Sequence, residues 1–124
     1  MKILFVPVLL FAMLGCHSVV APVPGSVNTF DSTSYVSLVT ADSVIETTKT
    51  DLASGAFPAT IAPNVKTALN DLIKYYDIAD QAYLAYHASA MQGTPTPAQQ
   101  AAVTAGLASV QVFITALTSA KAGN

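Results

Sequence analysis

Residues 65–91 read VKTALNDLIKYYDIADQAYLAYHASAM. Within them Val65, Leu69, Leu72, Tyr76, Ala79, Tyr83, Tyr86 and Ala90 recur at alternating steps of four and three, the spacing that keeps one seam of an α-helix facing a partner. Such a helix cannot bury its seam alone, so the flanking segments must supply apolar faces. Pro63 suits its first turn, where a missing N–H costs nothing, and Gly93 marks its end.

Downstream, Thr96 as N-cap, Pro97 at the first helical position and Gln99 at the third form a capping-box start signal. The turn from Thr94 to Pro97 is short, so the helices it joins are expected to be antiparallel. The third helix carries Val103, Leu107, Val110, Ile114 and Leu117 in the same rhythm, with Phe113 beside the seam, and stops at Gly123.

Upstream, Asn28 to Gly55 is expected to be the first helix. Asp31 is its expected N-cap, Phe30 is expected to staple onto Tyr35, and Gly55 is the C′ stop. Its face is Tyr35, Leu38, Ala41, Ile45, Thr48 and Leu52. Thr40, Thr47, Thr48 and Thr50 are poor helix formers, and Ser34 to Thr40 alone could pass for a strand. The three-four spacing nevertheless continues for about five turns, whereas a period of two breaks at Leu38 and Val39. In the connection before Pro63, Phe57 and Ile61 are expected to plug the open end. The fold expected for residues 28–124 is all-α, a three-helix antiparallel up-down-up bundle.

The first sixteen residues have a different character. Lys2 precedes an apolar run from Ile3 to Met13, too short to span a bilayer as a mature helix and laid out like a secretory signal. Leu14, Gly15 and Cys16 close it, and here the chain resembles a bacterial lipoprotein precursor. Met13 and Leu14 stand where Leu and Ala or Ser are more usual. The resemblance implies a signal peptide over residues 1–15, cleavage before Cys16, and acylation of Cys16 and of the new amino terminus. It also implies outer-membrane sorting in a Gram-negative host, because His17 occupies the position where an Asp commonly retains such proteins at the inner membrane. An ordinary cleaved signal is the alternative.

Cys16 is the only cysteine, so no intramolecular disulfide can form, and acylation is the simplest role for a lone exported thiol. Several buried acyl chains, at about 0.8 kcal/mol per CH₂, make a durable anchor. A haem c attachment site would need a second cysteine at position 13, which is Met13. From Cys16 to Val27 the chain is uncharged and carries Pro22 and Pro24, so it reads as an extended tether of about 3 Å per residue, with a reach on the order of 20–30 Å.

Beyond Lys2 the charges are four lysines against seven acids, with no arginine, a balance that cannot build the basic face nucleic acid requires. No Gly-x-Ser-x-Gly turn and no glycine-rich phosphate loop is present. Asp71, Asp77 and Asp80, with Lys74 between them, are spaced as a solvated helix face. His87 is one turn from Tyr83 and about 10 Å along the axis from Asp80. Asp77, Asp80 and His87 do not converge as metal ligands, so His87 reads as a surface or interface residue. No catalytic residue, metal or cofactor is expected.

Tyr83, Tyr86, His87 and Met91 are the candidate partner-binding residues, on the expectation that the Thr-rich first helix covers the end of the second incompletely. Their occupant would be an unknown protein or a second copy of the chain. The expected function is a non-enzymatic cell-envelope lipoprotein, held to the membrane by its N-terminal lipid and acting as an interaction or structural module. One alternative is insertion of the third helix into a membrane, since Ala98 to Ala120 carries no charge over a length that could cross a bilayer. Another is a carrier of metal or a small ligand using His87.

Overall fold

The computed structural model describes residues 25–123. The lipobox-like segment, Cys16 and the tether as far as residue 24 lie outside the described residues. Three helices follow one another, α1 (Thr29–Ala53), α2 (Ala62–Met91) and α3 (Pro97–Lys121), with no strand among the described residues. The start of α1 meets the end of α2 at Asp31 and His87, and Ala79 meets Gly106 while Tyr75 meets Phe113, so each neighbouring pair is antiparallel. The chain is the expected up-down-up three-helix bundle.

The seam of α2 is its centre. Val65, Leu69, Leu72, Ala79, Tyr83, Tyr86 and Ala90 are all buried, while Tyr76 is half-buried. Leu38, Ala41 and Ile45 close on it from α1, and Val103, Val110, Ile114 and Leu117 from α3. Each fully buried Leu or Val side chain removed from water contributes roughly 1.5–3 kcal/mol before chain entropy is counted. Phe57 and Ile61 are half-buried at the end where α1 passes to α2, as expected of a plug.

Helix α3 approaches α2 closely at one place. A Cβ on Gly106 would lie 2.9 Å from the Cα of Ala79, so hydrogen is the only side chain this crossing admits. On one side of it Tyr75, one turn before Ala79, stacks on Phe113, two turns beyond Gly106, with ring centroids 4.2 Å apart. Thr96 and Gln99 form the expected reciprocal capping box at the start of α3.

The threonines of α1 are accommodated because their hydroxyls bond back to the preceding turn. Thr40 donates to the Val36 carbonyl and Thr48 to that of Val44, the latter at 2.8 Å, so the fully buried Thr48 carries no unmet donor. Gly55 and Gly93 take φ of +72° and +73° beyond α1 and α2, where the N–H groups of Ala56 and Thr94 reach back to the carbonyls of Asp51 and Ser89. Glycine holds this left-handed conformation without a Cβ penalty.

The start of α1 differs from expectation. The N-cap is Asn28, whose Oδ1 accepts the Asp31 N–H at 2.9 Å, and Asp31 sits at the third helical position, fully buried. Asp serves either place, since a carboxylate is favourable anywhere in the first turn. Phe30 does not staple onto Tyr35; it packs edge-on against Tyr86 with centroids 4.9 Å apart, and Tyr35 is 43 % exposed.

Candidate functional site

The buried first turn of α1 meets the last turns of α2 in the one extended polar cluster among the described residues. Asp31 sits at its centre with no exposed surface. A buried carboxylate must be matched by donors, since desolvating it alone costs several kcal/mol. Val27 N–H donates to Asp31 Oδ2 at 3.0 Å, and His87 Nδ1 lies 2.9 Å from both carboxylate oxygens. The Tyr83 phenol lies within the field of the Asp31 charge. Beside this group the Asn28 Nδ2 amide donates to the Tyr86 hydroxyl at 3.0 Å.

Helical spacing explains the convergence. Tyr83, Tyr86 and His87 share one side of α2, and Asp31 and Asn28 share the first turn of the antiparallel α1. The Tyr83 and His87 rings stack with centroids 5.7 Å apart, and Tyr35 caps Tyr83 from α1 at 6.2 Å. Burial, then the Asp31 charge, push the Tyr83 phenol up to about 12. Tyr76, lower on the same face, is also raised, first by burial and then by the charges of Asp42, Asp80 and Asp77. Tyr83 and Tyr76 therefore remain neutral through the physiological range.

Of the candidate partner-binding residues, Tyr83 and Tyr86 are buried, at 7 % and 4 % exposure. They do not line an open groove: the first turn of α1 closes over them, drawn down by Asp31 to His87 and by Phe30 onto Tyr86. The His87 side chain is 31 % exposed and Met91 is 64 % exposed. Asp31, the partner that fixes His87, was read in the sequence only as a cap. A signal for it exists, because stepping back from Thr48, Ile45, Ala41 and Leu38 by the same rhythm lands on Ser34 and then Asp31, both buried.

Open apolar surface lies on the other side of α2. Tyr75, Ile78, Ala82, Ala102, Ala105, Gly106 and Ser109 line a shallow groove of about 250 Å³ between α2 and α3, and Ile78 is 51 % exposed. Helix α3 is the one described helix long and apolar enough to cross a membrane by length and composition, and its seam is packed on α2. Among the described residues no three His, Cys, Asp or Glu side chains group as metal ligands.

Comparison with protein-family models, with curated proteins and with solved structures finds no match.

Proposed function

We propose that the chain is a non-enzymatic lipoprotein of the cell envelope, anchored through acylated Cys16 and presenting its helical bundle as an interaction module. The observation that carries this reading is Leu14-Gly15-Cys16 closing a short apolar run behind Lys2, with Cys16 the only cysteine. An acylated anchor followed by an uncharged, proline-bearing segment accounts for a signal, a lone thiol and a small acidic domain together. Outer-membrane placement follows from His17 after the cysteine in a Gram-negative host.

Labelling with palmitate tests the anchor. Cys16→Ser abolishes incorporation and leaves the precursor uncleaved by the lipoprotein peptidase; a mature protein of unchanged size and partitioning sinks the reading. The module's partner, a protein or a second copy, is sought by photocrosslinking in cells from the exposed positions Met91 and Ile78, with buried Leu72 as the control. A second reading is favoured by the uncharged length of α3, which would cross a bilayer after leaving the bundle. Protection of Val103 to Leu117 from protease in intact membranes separates it from the first.

A further inference from the structure

The pairing of Asp31 with His87 leaves one functional group to account for, the far nitrogen of the imidazole. Asp31 Oδ2 already accepts the Val27 N–H, and both carboxylate oxygens stand 2.9 Å from Nδ1, so the carboxylate is the acceptor and Nδ1 carries the hydrogen. In the neutral ring the free lone pair is then on Nε2. Asp31 is fully buried, the His87 side chain is 31 % exposed, and Nε2 lies on the ring edge turned away from the carboxylate. A carboxylate behind one ring nitrogen is the arrangement that fixes the tautomer and raises the basicity of a metal-ligating histidine.

Met91 stands four residues further along α2, at the spacing that makes helical side chains neighbours, with Cβ atoms about 5–6 Å apart. Long side chains on a helix lean toward its N-terminus, which puts the turn that holds His87 within reach of the Met91 thioether. At 64 % exposure it is the most exposed of the large apolar side chains described, and its sulfur is not committed to the core.

We propose that His87 Nε2 and Met91 Sδ bind a soft monovalent metal ion of the Cu(I) or Ag(I) class, with Asp31 as the positioning residue behind the imidazole. Thioether donors select soft ions, and imidazole suits copper, whereas Ca²⁺ and Mg²⁺ call for several oxygen ligands. Two donors satisfy a monovalent d¹⁰ ion, which accepts linear coordination, and the buried Asp31 charge favours a cation beside the ring. The site is independent of the lipid anchor, so failure of one reading leaves the other standing.

The test uses the full chain carrying Cys16→Ser, which removes the competing thiol, in detergent micelles titrated with silver nitrate. The probes are the nitrogen-15 shifts of the His87 ring and the methyl resonance of Met91. At the first equivalent of Ag(I), His87 Nε2 and the Met91 methyl shift together while Nδ1 keeps its proton. Met91→Leu, on the surface and without cost to the fold, abolishes the tight phase. Asp31→Asn weakens it by roughly tenfold. Shifts confined to His17, Met1 or Met13, movement of only one of the two probes, or unchanged affinity in Met91→Leu each overturn the proposal.

Discussion

The two interfaces of α2 are built from different chemistry. Toward α3 it meets hydrogen, methyl and ring faces: Gly106 on Ala79, Tyr75 on Phe113. Toward the start of α1 it meets a buried carboxylate, an imidazole, two phenols and an amide. The first contact is specified by shape. The second is specified by matched donors and acceptors, and so it responds to protons. One helix thus carries a side set by shape and a side that responds to protons.

The most damaging change to the first side is Gly106→Leu, which must push α3 off the Ala79 backbone and is expected to cost about 3 kcal/mol or more. An unfolding free energy in urea within about 1 kcal/mol of the parent protein would show that the crossing is looser than its 2.9 Å approach implies. On the second side, Asp31→Ala strands the Val27 N–H and His87. It is expected to cost about 2–3 kcal/mol, below the value for a wholly buried pair because His87 has an edge in water. Its loss of hydrogen-exchange protection should be concentrated in the first turns of α1.

Alkali probes the second side without mutation. In the unfolded chain Tyr83 loses its proton near pH 10, while in the bundle it holds it to about 12, so the folded state binds the extra proton between those values. The stability contributed by the neutral phenol is complete below pH 10 and is drained as pH rises toward 12, by at most about 2–3 kcal/mol. Tyr83→Phe should flatten this decline; an unaltered slope would assign it to other groups. The smallest effect expected is the coupling of Tyr75 to Phe113, about 0.5–1.5 kcal/mol in a double-mutant cycle of leucine substitutions at pH 7.

Much of the bundle was legible in the chain because it depends on local periodicity. The seam from Val65 to Ala90 and the cap at Thr96 are set by residues within one or two turns of each other, and both stand as read, apart from half-buried Tyr76. The polar cluster was not legible, because its bonds join positions 56 and 58 residues apart and depend on how α1 slides along α2. Asp31 was masked by its residue type, since an acid near a helix start reads as a cap before it reads as part of a seam. Gly106 offered a cue of another kind. A glycine in mid-helix costs about 1 kcal/mol relative to alanine, so its presence there signals a backbone that must come close to something.

The Val27 bond to Asp31 also sets how the bundle bears load. A pull along the segment before Val27 does not fall first on the opening turn of α1, because Asp31, His87 and the Asn28–Tyr86 bond pass it sideways into the end of α2. Helix α2 has 30 residues and is about 45 Å long, so tension entering at that end acts across the interface between two antiparallel helices before it can unwind either one. Cutting the sideways link, as Asp31→Ala does, would turn the same pull into a peeling force that lifts α1 away turn by turn.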